Sequence, residues 1–263
     1  MQLGAALNLP AWRGRLPVWL GLTAMVGLSW LYLARMQGAG GGGMVHSMAH
    51  PAMAANAAGL DALALAVAMW SVMMVAMMLP TAVPAISLFM TLTGRRHPQE
   101  ASAPTTAMYI AGYAAAWTAY AIAAGLAQWV LVRAALLTPM GESTSASLSA
   151  LVLLAAGAFQ FTASKGACLT KCRSPLGFFL AEWRDGKAGA FVLGLRHGSY
   201  CVGCCWALMA LMFVVGAMNL AWMAVLTVFL LGEKIAPAGW RLNAIAGVVL
   251  IAWSAWIAAA LFR

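Results

Sequence analysis

Charged residues are scarce in this chain, and acidic residues are the scarcest. Only 8% of the 263 residues are Asp, Glu, Lys or Arg, and 64% belong to the hydrophobic set, whereas a soluble domain has about 25% charged residues. This composition excludes an ordinary soluble enzyme, and its hydrophobicity excludes a disordered chain. An excess of 15 basic over 6 acidic residues would favour nucleic acid as the partner of a soluble protein. Here the basic residues separate apolar runs, so we expect a lipid bilayer as the partner and no nucleic acid.

Several signatures of energy-coupled or hydrolytic proteins are missing from the sequence. It contains no Walker loop, no dinucleotide fingerprint and no His-Glu-x-x-His motif, which would bind phosphate, a nicotinamide cofactor or catalytic zinc. The phosphorylated Asp motif of an ATP-driven pump is also absent. Movement of an ion would therefore run down its gradient, or couple to protons or to another protein. Whether the chain is an enzyme stays open on this basis.

The apolar runs are long enough to cross a bilayer, which takes about 20 residues per helix. We divide the longest run at Gly216-Ala217-Met218-Asn219, and we interpret the runs containing Pro80, Pro84 and Pro104 as one crossing each plus a kinked or interfacial piece. The resulting spans are 16–34, 62–94, 101–132, 143–164, 197–216, 219–236 and 242–262. The prediction is an all-α, polytopic transmembrane helical bundle of about seven spans, or six if the longest run is a single helix.

Basic residues are distributed unevenly between the two sides of this predicted bundle. Twelve of the 15 Lys and Arg residues fall on the side of the N-terminus and three on the other. Cytoplasmic loops are enriched in Lys and Arg, so we expect a multi-pass protein of a bacterial inner membrane with a cytoplasmic N-terminus. We divide the chain into an anchor helix with an outer His/Met-rich loop (1–61), a metal-binding membrane core (62–237) and a C-terminal transmembrane helix (238–263).

Cysteine and histidine are few but clustered. His197, Cys201, Cys204 and Cys205 have helical offsets of 0, 4, 7 and 8, which lie on one face, and Cys168 and Cys172 form a Cys-x-x-x-Cys pair in the preceding basic loop. Thiolate and imidazole ligands on one face suit Cu(I) or Zn(II). Two alternatives compete with a metal site. Cysteine is also a small apolar residue that packs in interiors, and the Cys-x-x-x-Cys pair would be a disulfide if the orientation were inverted.

The second predicted span is rich in methionine. Met69, Met73 and Met77 recur at every fourth position, and thioethers favour Cu(I), although methionine also fills gaps in any apolar interface. Counting 1.5 Å per residue from the ends of the spans places Met77 and Cys201 at about the same depth. We therefore expect the methionine row and the cysteine face to lie opposite each other.

Two further features are candidates for handling an ion. His46 and His50 lie in the first outer loop beside several methionines, so this loop is either a metal-capture segment or a polar linker with incidental histidines. Glu233 ends the sixth predicted span next to Lys234. An acidic residue at membrane depth marks an ion or proton path, but structural pairing of Glu233 with Lys234 is the simpler interpretation.

These motifs together resemble the bacterial family of predicted metal-binding integral membrane proteins, a domain of unknown function. The resemblance covers about residues 62–237. The matching segments are Met69-Trp70 through Met77-Met78-Leu79-Pro80, Cys168 through Pro175, His197 through Trp206, and Met218 through Pro237. The resemblance implies metal binding and supplies no reaction.

The function expected from the sequence is binding of a soft transition metal, most simply copper with zinc as the alternative, for transport or delivery. A metallochaperone or a membrane partner subunit would then exchange the ion. Two other classes stay open: a membrane-bound metal- or thiol-dependent oxidoreductase, and an accessory subunit whose metal is structural.

Overall fold

The chain folds into helices connected by short turns. A computed structural model describes residues 9–41, 59–96, 103–138, 141–217, 219–237 and 240–261, with side chains of the first helix described from 16 to 36. Within these ranges there is no strand. The helices are α1 (Leu9–Gly41), α2 (Leu60–Arg96), α3 (Ala103–Arg133), α4 (Ala146–Phe159), α5 (Ala163–Arg173), α6 (Pro175–Glu182), α7 (Gly186–Met209), α8 (Met212–Val215), α9 (Leu220–Ile235) and α10 (Leu242–Leu261).

The helices confirm the predicted all-α class, whereas the count of about seven spans is not confirmed. Among the described residues, five helices are long and apolar enough to cross a membrane, or six if the bent pair of α4 and α5 is one span. The fourth predicted span became a 14-residue helix and the sixth a 16-residue helix. At 1.5 Å per residue these are about 21 Å and 24 Å long, which is less than the roughly 30 Å hydrocarbon core.

The other differences concern where helices begin and end. The predicted crossing and its kinked or interfacial piece belong to one helix, because α2 runs continuously through Pro80 and Pro84. Pro80 has no N–H, so the carbonyl of Ala76 loses its usual partner within the helix, and the indole nitrogen of Trp30 on α1 donates to it at 3.0 Å. Helix α7 begins at Gly186 and not at residue 197, whereas the break predicted around Gly216 is present, with Gly216 at a φ of 89°.

Helices α3 and α7 form the most extensive helix pair because small residues let their backbones approach. A Cβ atom on Gly112 would collide with the carbonyl of Phe191, and one on Gly194 would collide with the carbonyl of Tyr109. Gly198 lies against Tyr113 and Ala116 in the same way. Close contact through small residues is the usual way to pack helices tightly where lipid removes the hydrophobic drive. This contact sets the spacing between the tyrosines of α3 and the cysteines of α7.

A sharp bend of 65° between α4 and α5 brings α5 against the second half of α7, where Cys168 meets Gly203. Thr162 caps the start of α5 by accepting a hydrogen bond from the backbone of Lys165. Helix α4 meanwhile packs along α10, where Gly157 lies close to Gly247 and Ile251. The bend therefore allows α4 to pack against α10 while α5, which follows it directly, packs against α7.

We predict that Gly194→Ala weakens the bundle. The added methyl group would meet the backbone of Tyr109, and overpacking of a close contact costs about 1–3 kcal/mol. The free energy of unfolding in detergent, followed by far-UV circular dichroism, measures the effect. Gly232→Ala is the matched control, because a Cβ atom there meets nothing within 4 Å and alanine favours helix. Equal stability of the two variants would contradict the proposed role of the α3–α7 contact.

Candidate metal-binding site

One face of α7 carries the predicted ligand residues into the interior. His197 is 4% exposed, and Cys201, Cys204 and Cys205 are each 1% exposed or less. These positions follow one another at intervals of three or four residues, so they line one side of the helix. The side chains of His197 and Cys201 lie in the middle of α7 rather than at its start, because this helix begins at Gly186.

The thiols of α7 meet a thiol from α5. We call Cys172, Cys201, Cys204 and Cys205 the thiol cluster. The sulfur of Cys172 lies 4.0 Å from that of Cys204, and the sulfurs of Cys204 and Cys205 are 3.3 Å apart. Cys201 lies one turn before Cys205 on the same face of α7, and the thiol of Cys204 reaches its carbonyl oxygen at 3.2 Å. Helices α5 and α7 thus bring Cys172 next to Cys204, although the two residues are 32 positions apart in sequence.

Cys168 lies at the edge of the thiol cluster. It is partly exposed, whereas Cys172, one turn further along α5, is buried. Its sulfur sits above Gly203, where a Cβ atom would come within 2.8 Å of it. Glycine at this position therefore provides the space in which Cys168 packs on α7. Cys168 is the cysteine of the five that reaches toward the surface.

Polar side chains from two other helices contact the sulfur of Cys201, and a third helix supports one of them. The ammonium of Lys234 on α9 lies 3.0 Å from the sulfur of Cys201 and donates to the hydroxyl of Thr81 on α2 at 2.6 Å. The hydroxyl of Tyr113 on α3 lies 3.1 Å from the same sulfur and 3.2 Å from the carbonyl oxygen of Met78, to which it donates. The sequence analysis did not identify Tyr113 or Thr81. For Tyr113, the spacing of glycines on α3 and α7 was the one available signal that these two helices approach closely.

His197 is positioned by an aromatic group rather than by the thiols. Its Nδ1 atom lies 2.7 Å from the hydroxyl of Tyr109, and its ring packs between Tyr113 and Phe178. A metal-bound histidine commonly uses one ring nitrogen for a second hydrogen bond and the other for the metal. With Nδ1 engaged by Tyr109, Nε2 is the nitrogen that would bind an ion.

No preformed metal site exists in the described part of the chain: nowhere there do three or more His, Cys, Asp or Glu side chains converge in the geometry of a bound ion. The sulfur atoms instead contact one another and the ammonium of Lys234. The donor chemistry nevertheless fits a soft ion, because thiolates are the ligands that Cu(I) and Zn(II) prefer. Oxygen-seeking ions would find no carboxylate in the thiol cluster.

The remaining candidate residues are located as follows. Met69, Met73 and Met77 are all buried on α2. Two polar links join this part of α2 to Cys201: Thr81 through Lys234, and the carbonyl of Met78 through the hydroxyl of Tyr113. The end of the methionine row and Cys201 therefore lie at a similar level. His46 and His50 lie outside the described residues.

The pairing suggested for Glu233 and Lys234 is wrong. Both carboxylate oxygens of Glu233 accept hydrogen bonds from the ammonium of Lys165, at 2.9 and 3.0 Å, and Lys165 also donates to Gln160. Adjacent residues on a helix point about 100° apart, which turns Glu233 toward α5 and Lys234 toward α7. Lys165 lies just outside the predicted span 143–164, but it is 0% exposed. The guanidinium of Arg173 adds a hydrogen bond to the Glu233 carbonyl at 2.7 Å.

These observations define the class of protein: a helical bundle with several helices long enough to cross a membrane and a buried set of four thiols. The chain belongs to the PpoB2 family, described as copper chaperone, which matches residues 67–257. That family is metal-related, in agreement with the resemblance seen in the sequence, and its description points to a function connected with copper. No curated protein and no solved structure matches the chain.

We predict that Lys165→Met destabilises the fold strongly. Lys165 and Glu233 form an ion pair with exposures of 0% and 1%, and removing one partner of a buried pair costs about 3–5 kcal/mol because the other charge stays buried. Arg196→Met is the control, since Arg196 is 47% exposed in its ion pair with Glu182 and an exposed pair is worth about 0–1 kcal/mol. Chemical denaturation in detergent compares them. A Lys165→Met variant as stable as Arg196→Met would show that the buried pair does not anchor α5 to α9.

Proposed function

We propose that this protein is an integral membrane copper chaperone that binds Cu(I) in the thiol cluster and hands it to a partner. The observation that carries the proposal is the meeting of Cys172 from α5 with the cysteine face of α7, where its sulfur lies 4.0 Å from that of Cys204 and Cys204 lies 3.3 Å from Cys205. Buried thiols from two helices suit a soft monovalent ion, and the buried carboxylate of Glu233 is engaged by Lys165. Membership of a family described as copper chaperone supports copper over zinc as the cargo.

A membrane location is part of the proposal, and the composition that excluded a soluble enzyme supports it. Five or six helices with the required length and hydropathy support it. In this proposal the protein sits in the inner membrane of a bacterium with its N-terminus in the cytoplasm, as the distribution of Lys and Arg favours. Two lysines counted toward that distribution, Lys165 and Lys234, are buried, so the remaining basic residues carry the orientation.

The proposed route of the ion joins the candidate residues in order of depth. His46 and His50 gather copper outside, and Met69, Met73 and Met77 pass it inward along α2. The thiol cluster then holds it more tightly, because thiolates bind Cu(I) more strongly than thioethers do.

Exit from the thiol cluster requires a ligand that reaches the surface. Cys168 is partly exposed and lies one turn from the buried Cys172. A thiol in that position can share the ion with an incoming metallochaperone or membrane partner subunit while Cys172 still holds it. His197 is one turn before Cys201 on α7, and its Nε2 is a further ligand on this path.

A thiol oxidoreductase is the second candidate function, and one distance favours it. The sulfurs of Cys172 and Cys204 are 4.0 Å apart on different helices, so a small shift would allow a disulfide to form between them. That reaction would convert two thiols to one disulfide and pass two electrons and two protons to an oxidised partner. This candidate would be favoured if metal-free protein formed a disulfide between these two cysteines and if a redox partner repeatedly oxidised and reduced it.

We predict that purified wild-type protein binds Cu(I) and that Cys201→Ser/Cys204→Ser does not. The double substitution removes two of the four sulfurs while keeping side chains of similar size, and serine is a poor ligand for a soft ion. Metal content by mass spectrometry and competition with a Cu(I) chelator measure the loss. We expect the affinity to fall more than about 100-fold, because the loss of a second-shell partner of a metal ligand already costs about 10–100-fold. Binding should also release protons, because thiols bind metal only as thiolates.

Cys168→Ser is the matched control for the double variant. We expect it to keep most of the affinity, since Cys168 lies at the edge of the thiol cluster, but to slow transfer of copper to a chelator. Equal copper content in wild type and Cys201→Ser/Cys204→Ser, with both folded by circular dichroism, would end the proposal.

A further inference from the structure

Lys234 is a buried ammonium without a carboxylate partner in the described part of the chain. It is 9% exposed, and its hydrogen-bond partners are the hydroxyl of Thr81 and the sulfur of Cys201. Lysine is almost never buried unless it is paired with an opposite charge. The ionisable group that contacts it is the thiol of Cys201, which the hydroxyl of Tyr113 also contacts at 3.1 Å. The ammonium is therefore a fixed positive charge directly beside the sulfur of Cys201.

The neighbouring acid does not serve this lysine. Glu233 precedes Lys234 in sequence, but its two oxygens are bonded to Lys165. That pair is neutral as a whole, so it leaves the field of Lys234 at the thiol cluster uncompensated. An ion bound to the sulfur of Cys201 would lie within about 5 Å of the ammonium, given the observed 3.0 Å contact and a metal–sulfur bond of about 2.3 Å.

We propose that Lys234 makes the thiol cluster selective for monovalent soft cations over divalent ones. A fixed positive charge repels an incoming ion in proportion to the charge of that ion, so Zn(II) or Cd(II) meets twice the repulsion that Cu(I) or Ag(I) meets. The difference of one unit charge at about 5 Å, with the effective dielectric typical of proteins, amounts to on the order of 100-fold in relative affinity. Ligand softness alone does not supply this discrimination, because thiolates also bind Zn(II) and Cd(II) well.

This inference rests on the proposed function, since it assumes that the thiol cluster binds metal. It adds the reason why four thiols would take Cu(I) rather than zinc, the alternative that the ligand types leave open. The role is one of specificity: Lys234 supplies charge and no lone pair to the ion.

The test compares Ag(I) and Cd(II), two soft cations that differ in charge, in wild type, Lys234→Met and Lys187→Met. Lys187 is an exposed lysine near the start of α7, so its substitution controls for the loss of one positive charge. We expect the ratio of Ag(I) to Cd(II) affinity to fall about 100-fold in Lys234→Met and to stay unchanged in Lys187→Met. A purely structural role would weaken both ions alike and leave the ratio constant, which would overturn the inference.

The wild type alone gives a second test if Lys234→Met does not fold. We expect wild-type protein to bind Ag(I) and to leave Cd(II) unbound at the concentration that saturates it with Ag(I). Cd(II) bound as tightly as Ag(I) would overturn the selectivity. Wild type that binds neither ion would instead contradict the proposed function, so the two failures are distinguishable.

Discussion

The contact between the ammonium of Lys234 and the sulfur of Cys201 is the interaction around which the other features of the site are arranged. Both groups are buried, and an uncompensated charge in a low-dielectric interior costs several kcal/mol. The 3.0 Å contact with the sulfur offsets part of that cost. In the proposed site the ammonium stays beside Cys201, so an ion bound to this sulfur meets its positive charge.

Three features of the fold deliver the groups to this point. Glycines at positions 112, 194 and 198 bring the backbones of α3 and α7 together, so that Tyr113 reaches Cys201. The bend after α4 turns α5 inward and carries Cys172 to the same place. Helix α9 presents Glu233 to α5 and Lys234 to α7. The ion pair between Glu233 and Lys165 anchors α5, the helix that carries Cys172. Anchoring, ligand placement and charge balance thus depend on the same few helices.

The sequence was informative where the relevant pattern is local. Hydropathy predicted an all-helical chain, the offsets between His197 and Cys205 predicted a single face, and the break near Gly216 followed from composition. The number of spans was not predictable in this way, because α4 and α9 are shorter than the apolar runs that contain them. Pairing of Glu233 with Lys234 was inferred from adjacency, whereas the partner of Glu233 is Lys165, 68 residues away. Contacts such as these, and the meeting of Cys172 with Cys204, arise from tertiary packing that no local pattern encodes.

Family membership and site geometry support the same account from independent directions. The family description names a copper chaperone, and the interior of the bundle holds sulfur ligands that suit Cu(I) but no carboxylates among them.

X-ray absorption spectroscopy at the copper edge, on protein loaded with Cu(I) in detergent, tests the central claim most directly. The account predicts a first coordination shell dominated by sulfur, from the cysteines of α5 and α7. A shell made of nitrogen and oxygen alone would contradict it, because the thiol cluster would then not be where the copper binds.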